Sequence, residues 1–172
     1  MKRALILINC INDFFTPKGV LYVGPQAKRI IPFAVGILDA FRKDKETIVF
    51  ISDAHQTEDK ELKVYPRHAL RDSVGAQTIE AFTPMSGEYQ ITKRCYSGVF
   101  STPMADVLKR NYVTEVHLLG ALASVDVMET AAGLFYNGFQ PMVYRKGLAD
   151  LKPADLTSAL KRMQKIFSLK VI

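Results

Sequence analysis

The stretch Ala4-Leu5-Ile6-Leu7-Ile8 decides the fold class. An unbroken apolar run of this length is typical of a strand that is covered on both faces, as the strands of parallel sheets are. Two further runs of this kind, Thr47–Ser52 and Val116–Leu119, alternate with segments whose apolar residues recur at helical spacing, one within 27–43 and one after Gly120. Strands that alternate with helices form right-handed βαβ units. We therefore predict an α/β fold, a three-layer α/β/α sandwich around a central, mainly parallel sheet.

The other segments continue the alternation. The polar stretch Gln56–Lys63 predicts a surface loop. The remaining predicted elements are helices over Gly75–Phe82, Pro103–Arg110 and Pro153–Ile166, and strands over Gln90–Thr92 and Pro141–Tyr144. Because no linker, repeat or low-complexity segment interrupts the pattern, we predict a single domain over 1–172.

Length and composition exclude several classes of protein. The chain has 172 residues and a formal net charge of +6, from 23 Lys+Arg and 17 Asp+Glu. This length can bury a sizeable core, and the ordinary composition excludes a disordered chain. No apolar run approaches the roughly 20 residues of a membrane helix. The basic residues are scattered rather than clustered, so we expect neither a nucleic-acid partner nor a membrane partner.

The first residues resemble a secretory signal only weakly. Asn9, Asn12 and Asp13 interrupt the apolar run, and no small-residue cleavage site follows. We therefore expect a cytoplasmic protein. Its two cysteines, Cys10 and Cys95, are then expected to be reduced.

Polar residues follow the predicted strands at the points where they end. Asn9 follows the first strand, Asp53 the second and Lys93 the third, and Gly120–Asp126 follows the strand Val116–Leu119. In open α/β sheets, ligands bind beyond the carboxyl ends of the strands. The sequence therefore predicts a ligand site built from these residues.

One group of residues has the chemistry of a metal site. Asp53 and His55 follow the second strand, and His68 lies thirteen positions after His55. One carboxylate and two imidazoles suit Zn²⁺, Mn²⁺ or Fe²⁺ with open positions for water. Short spacings of this kind also arise by chance, so surface or structural histidines are the alternative.

Other reactive side chains have structural interpretations. Lys93 can hold an anion or be solvated, and Asp126 at the start of a helix is either a capping residue or a group among backbone N–H donors. Cys10 adjoins Asn9 and points to the opposite face of a strand, which favours a buried core thiol. His117 lies within an apolar strand, which favours a core histidine with a satisfied ring.

Five segments in order resemble the isochorismatase-like cysteine hydrolases, the superfamily of nicotinamidases, carbamoylsarcosine amidohydrolases and isochorismatases. The segments span nearly the whole chain and have intervals similar to those of the family. They are A-L-I-L-I-N-C-I-N-D-F at 4–14, S-D-A-H at 52–55, Y-P-R-H at 65–68, K-R-C-Y-S-G-V-F-S-T at 93–102 and G-A-L-A-S-V-D-V at 120–127.

The resemblance implies positions for a catalytic set. The family uses an aspartate, a lysine and a cysteine, and these positions are Asn9, Lys93 and Asp126 here. A cis peptide would fall between Ala121 and Leu122, with the N–H groups of Leu122 and Asp126 holding an oxyanion. In addition, Phe14 and Tyr65 match positions that line the substrate pocket.

Two of these positions depart from the family pattern. The amide of Asn9 cannot act as a general base at neutral pH. The carboxylate of Asp126 is a weak nucleophile toward an amide. We therefore predict that ordinary cysteine amidase activity is absent or very low. In one alternative Asp126 or a bound metal supports hydrolysis of a small amide or related metabolite, and in another the protein is a non-catalytic binding or scaffold protein.

The resemblance also implies ligands and partners. The metal set Asp53, His55 and His68 is intact, so one divalent metal is expected, with Glu58, Asp59 or water in a fourth position. A Lys93–Asp126 ion pair that stabilises the pocket is the simpler interpretation of that pair. A small-molecule ligand and a homo-oligomer are implied by analogy with the family.

Overall fold

One parallel sheet forms the centre of the molecule. The structure is a computed structural model that describes residues 2–172. The strands are β1 (Arg3–Ile8), β2 (Thr47–Asp53), β3 (Tyr89–Lys93), β4 (Glu115–Gly120), β5 (Pro141–Leu148) and β6 (Lys170–Val171). Their order is β3-β2-β1-β4-β5-β6, and every neighbouring pair is parallel. The predicted central parallel sheet is confirmed.

Helices connect most of the strands. They are α1 (Asn12–Phe15), α2 (Ala27–Lys43), α3 (Met104–Arg110), α4 (Met128–Tyr136) and α5 (Pro153–Phe167). A π-helical turn, Ala123–Val127, leads into α4. The helix predicted within 27–43 is confirmed over that whole range. Among the described residues, no helix combines the length and the apolar content that crossing a membrane requires.

Alternate side chains of β1 enter two different cores. Leu5 and Leu7 belong to a buried cluster that contains Leu38 of α2. Ile6 belongs to a second cluster on the opposite face, with Leu134 of α4 and residues of α3 and α5. Each such side chain contributes about 1.5–3 kcal/mol when it is fully buried. Because helices cover both faces of the sheet, the three-layer sandwich is confirmed.

Gly120 ends β4 where β4 passes very close to β1. Its φ is +122°, and a Cβ atom there would lie 1.9 Å from the carbonyl oxygen of Ile8. Only glycine fits this approach. The next residue, Ala121, donates its N–H to the same oxygen at 3.0 Å. This close contact places the loop after β4 beside Asn9.

The predicted helix over Gly75–Phe82 is wrong. Two 3₁₀ turns, Val74–Ala76 and Glu80–Phe82, flank an extended stretch instead. Thr78 in that stretch forms an antiparallel bridge with Ile11. Backbone hydrogen bonds to the segment after β1 therefore replace the hydrogen bonds that a helix would make.

Candidate active site

The ammonium group of Lys93 lies at the centre of the site. Lys93 ends β3 and is buried, and its Nζ donates hydrogen bonds to Asp53 and to Oδ1 of Asp126, the latter at 2.6 Å. It also donates to the carbonyl oxygen of Cys95 at 3.1 Å. Burial alone would lower the pKa of Lys93, but the charges of Asp126 and Asp53 outweigh it and raise that pKa. The lysine is therefore a permanent cation between two carboxylates.

The side chain of Asn9 is hydrogen-bonded to Asp53 at the end of β2, one of the two strands that flank β1. Its Nδ2 donates to Oδ2 of Asp53 at 2.8 Å, and its Oδ1 accepts the backbone N–H of Asp53 at 2.9 Å. Because the backbone N–H of Asp53 must donate to an oxygen, this bond fixes which side-chain atom of Asn9 is the oxygen and which is the nitrogen. Within residues 2–172, Asn9 makes no side-chain hydrogen bond to Lys93 or Asp126. It therefore orients Asp53.

Asp126 occupies the space between the lysine and the loop after β4. Its Oδ2 accepts the backbone N–H of Leu122 at 3.1 Å, and the peptide bond between Ala121 and Leu122 is cis. Burial raises the pKa of Asp126 to about 6. Both of its oxygens thus have partners, one in Lys93 and one in the Leu122 N–H group. That N–H group is one of the two oxyanion donors that the family resemblance implies.

A buried aspartate also orients the loop itself. Asp150 accepts the N–H of Ser124 on its Oδ2 at 2.7 Å and the N–H of Leu151 on its Oδ1 at 2.8 Å. The first bond ties the π-helical turn to the end of β5. Asp150 was not singled out from the sequence, because an aspartate after a strand also occurs as an ordinary turn residue.

Three predicted metal ligands converge beside this lysine. The ligand atoms of Asp53, His55 and His68 all lie within 4.8 Å of one another. Oδ2 of Asp53 is 3.9 Å from Nε2 of His55 and 3.8 Å from Nε2 of His68. Nε2 of His55 is buried and has no hydrogen-bond partner among the described residues. An unpaired buried nitrogen facing a carboxylate and a second imidazole fits a divalent metal.

Outer contacts fix both imidazoles in the tautomer that a metal needs. Nδ1 of His55 lies 3.2 Å from Oδ2 of Asp59, and Nδ1 of His68 lies 2.7 Å from the carbonyl oxygen of Pro66. Because each Nδ1 carries the proton that makes this bond, each Nε2 presents its lone pair. Burial also lowers the pKa of His68, which keeps that ring neutral near pH 7. The donor set is therefore ready to bind a cation.

A fourth group was missed from the sequence. Oε2 of Glu61 lies 3.7 Å from Nε2 of His55, and burial followed by the charge of Asp53 raises the pKa of Glu61 to about 7. The family resemblance led us to expect Glu58, Asp59 or water in the fourth position. Asp59 instead contacts Nδ1 of His55 and pairs with Arg94, whose hydrogen bonds lower the pKa of Asp59 to about 2.

A cavity of about 590 Å³ is lined by Asp59, Glu61 and Lys93, whereas the cavity that Asp53, His68 and Asp126 line is small. It measures about 10 Å³, about the space that a single water molecule needs. Phe14 and Tyr65, both predicted pocket residues, line it together with Tyr96 and Val125. The rings of Phe14 and Tyr65 meet His68 edge-on, with centroids 5.7 and 6.3 Å away. A ligand as large as a small amide enters only when some of these side chains move.

The thiols and the third histidine lie outside the small cavity. Cys10 is buried in the core and burial raises the pKa of its thiol, while Cys95 is half-buried. Neither thiol lines the small cavity. Nε2 of His117 pairs with Glu115 at 2.6 Å, and its ring stacks on Tyr144. The ring of His117 is only partly satisfied, since its Nδ1 has no partner within residues 2–172.

Comparison with solved structures finds the same fold in a nicotinamidase and a pyrazinamidase. The nicotinamidase PncA from Bacillus subtilis superposes with a TM-score of 0.92, at 26% sequence identity, over 99% of each chain. The pyrazinamidase of Pyrococcus horikoshii, solved in complex with zinc, gives a TM-score of 0.90 at 26% identity over 100% of this chain and 99% of the other.

Sequence comparison assigns the family. The isochorismatase domain matches residues 3–171, so the chain belongs to the isochorismatase family and has its hydrolase fold. The maleamate amidohydrolase of Pseudomonas putida is 26% identical over 156 residues, which are 87% of this chain and 73% of that protein. The predicted family and fold are thereby confirmed.

Proposed function

We propose that this protein is an isochorismatase-family homologue that keeps a small-molecule pocket and a metal site but has little or no ordinary cysteine amidase activity. The contacts of Asp126 carry this proposal. Its carboxylate binds Lys93 with one oxygen and the Leu122 N–H group with the other. The side chain at the nucleophile position therefore fills a donor that an amide oxyanion would need.

The base position supports the same conclusion. Asn9 is an amide, and both of its polar atoms are bound to Asp53. An amide accepts no proton at neutral pH, so it cannot activate a nucleophile. Loss of both the base and the nucleophile from a cooperative set leaves only the small acceleration that binding provides.

The metal site supports binding of a small molecule. Asp53, His55 and His68 would hold a divalent ion such as Zn²⁺, Mn²⁺ or Fe²⁺, with Glu61 in reach of a fourth position. A bound ion would act as a Lewis acid or hold a donor atom of the ligand. The protein's own residues orient it, because Asp59 and the Pro66 carbonyl fix the imidazoles while Asn9 and Lys93 fix the carboxylate.

Turnover measurements test the proposal. Purified protein of known metal content is assayed on nicotinamide, maleamate, other small amides, ureido acids and isochorismate, with products identified by mass spectrometry. We expect no amide turnover from the unaltered protein. The double variant Asn9→Asp/Asp126→Cys should gain amidase activity, and Asn9→Asp/Asp126→Ala is the matched control without a nucleophile. Amide turnover by the unaltered protein that Asp126→Asn abolishes would overturn the proposal.

An active hydrolase led by Asp126 or by the metal is the second candidate. The raised pKa of Asp126, about 6, favours it, because a group that titrates near neutral pH can exchange protons with a substrate. If Asp126 acts as a base, the turnover rate should rise as the pH rises through that pKa. Asp126→Asn or metal removal should abolish turnover, and turnover that neither change affects would eliminate this candidate.

A non-catalytic role is the outcome if no substrate reacts. The same fold then acts as a binding protein or as an oligomeric scaffold. Assembly into a homo-oligomer and a cytoplasmic location stay predictions. Sedimentation or light scattering tests the first, and fractionation of cells tests the second.

A further inference from the structure

One of the larger cavities in the described part of the chain lies away from the candidate active site. It measures about 600 Å³ and is formed by α2 together with residues of β5 and α5. Cavities of about 300–1,000 Å³ are the usual size of small-molecule sites. None of the side chains that line it belongs to the lysine, metal or Asp126 groups described above. Its chemistry can therefore be considered by itself.

Three cations surround this cavity. Arg29 of α2 and the neighbouring Arg145 and Lys146 of β5 line it, and no acidic residue does. All three side chains are exposed. None of them takes part in an ion pair within residues 2–172, whereas Arg3 and Arg42 each pair with a carboxylate. Three like charges around one depression produce a local positive potential that attracts an anion.

The same cavity has an aromatic wall and an apolar floor. Phe33 lies against β5 so closely that a Cβ atom at Gly147 would come within 3.4 Å of its ring. The edge contact with Tyr144, at a centroid distance of 6.1 Å, further holds the ring in place. Ile30 and Leu148 are buried beneath. Because Phe33 remains half-buried, part of its ring is left for a ligand.

We propose that this cavity binds a nucleoside phosphate, with the base against Phe33 and the phosphate groups at Arg29, Arg145 and Lys146. Guanidinium groups bind phosphate through paired hydrogen bonds, and an ammonium adds a point charge. A phosphate monoester carries roughly −1.5 to −2 at pH 7, so a ligand with one or two phosphates matches the three cations. The cavity is also large enough for the base and sugar, and a free phosphate would leave that space unfilled.

Calorimetric titration with three probes tests this proposal. Adenosine diphosphate carries both parts of the ligand, adenosine only the ring, and pyrophosphate only the charge. We expect the diphosphate to bind at least about tenfold more tightly than either part, because both parts then contribute in one site. Amide shifts in a nuclear magnetic resonance spectrum should concentrate on residues such as Gly147 that adjoin the cavity.

Variants distinguish binding at this cavity from non-specific attraction of an anion to a basic protein. Arg145→Gln/Lys146→Gln should weaken diphosphate binding at least about tenfold. Phe33→Leu should weaken the binding of the diphosphate but leave the binding of pyrophosphate unchanged. The control Lys109→Gln/Arg110→Gln removes the same charge from the end of α3 and should change nothing.

Three outcomes would overturn the proposal. One is the absence of diphosphate binding at millimolar concentration. Another is an equal loss in the control variant, which would show non-specific attraction. The third is equal affinity for the diphosphate and pyrophosphate together with no effect of Phe33→Leu. All of these positions lie outside the candidate active site, so the outcome is independent of the function proposed for it.

Discussion

Replacing Asp59 with asparagine should weaken zinc binding without changing any ligand. Asp59 accepts the bond from Nδ1 of His55, and that bond fixes the tautomer and raises the basicity of Nε2. Outer contacts of this kind typically change metal affinity by about 10–100-fold. Glu58→Gln is the matched control, because Glu58 also approaches Arg94, at 3.8 Å, but is exposed and does not touch His55.

The loss of zinc affinity can be measured as a loss of the stabilisation that bound zinc gives the folded protein. At a zinc concentration of about 100 times Kd, binding stabilises the folded protein by about 2.7 kcal/mol. At the same zinc concentration, an affinity lowered about 10-fold leaves about 1.4 kcal/mol, and one lowered about 100-fold leaves about 0.4 kcal/mol. Urea unfolding with and without zinc measures this difference, and titration against a competing chelator measures Kd directly.

Two results would refute this reasoning. If unaltered protein shows no zinc-dependent stabilisation, the convergence of Asp53, His55 and His68 does not form a metal site. If Asp59→Asn keeps the affinity of the unaltered protein, or if Glu58→Gln loses as much, the contact with His55 does not orient a ligand. A lower affinity in Asp59→Asn alone is the expected result.

Two further substitutions test the core of the site, and thiol reactivity tests the burial of the two cysteines. Lys93→Met leaves two carboxylates buried without their cation and should lower the free energy of unfolding by about 3–5 kcal/mol. Burial raises the folded-state pKa of Asp126 to about 6, and loss of the Lys93 charge raises it further, so the stability of that variant should fall in urea titrations as the pH rises from about 4 through about 6 and above. Gly120→Ala forces a Cβ atom into the backbone of β1 and should cost more than about 3 kcal/mol or prevent folding, seen by circular dichroism. Cys95 should react with a thiol reagent much faster than Cys10, which is 2% exposed and whose pKa is raised; equal rates would contradict the buried position.

The sequence could predict where the site lies because parallel strands end at one edge of a sheet. Asn9, Asp53 and Lys93 each follow an apolar run, so the pattern alone brings them together. It could not predict Glu61, since the polar stretch around it has the pattern of a solvated loop. The burial of Glu61 depends on how that loop packs over His55, which is a tertiary contact without a periodic signal. The short strand β6 was missed for a similar reason, because two residues carry no alternation.

The orientation of the Asp126 carboxylate could not be predicted from the sequence either. Its contact with Lys93 gives a physical reason for the two departures from the family pattern to occur together. An aspartate at position 9 with an uncharged thiol at 126 would give the same net charge around Lys93 as Asn9 with Asp126. In the unaltered protein, Oδ2 of Asp53 accepts a hydrogen bond from Asn9 at 2.8 Å. The single change Asn9→Asp replaces that donor with a carboxylate and adds a third carboxylate around one lysine.

That single variant should therefore be destabilised, whereas Asn9→Asp/Asp126→Cys should recover stability, with a coupling energy of about 1–3 kcal/mol in a double-mutant cycle. Urea unfolding of the four proteins measures the coupling. Additive effects would show that the two positions do not share the charge of Lys93, and the charge argument would be wrong. A favourable coupling would show that the exchange preserved the electrostatics of the site while removing its nucleophile.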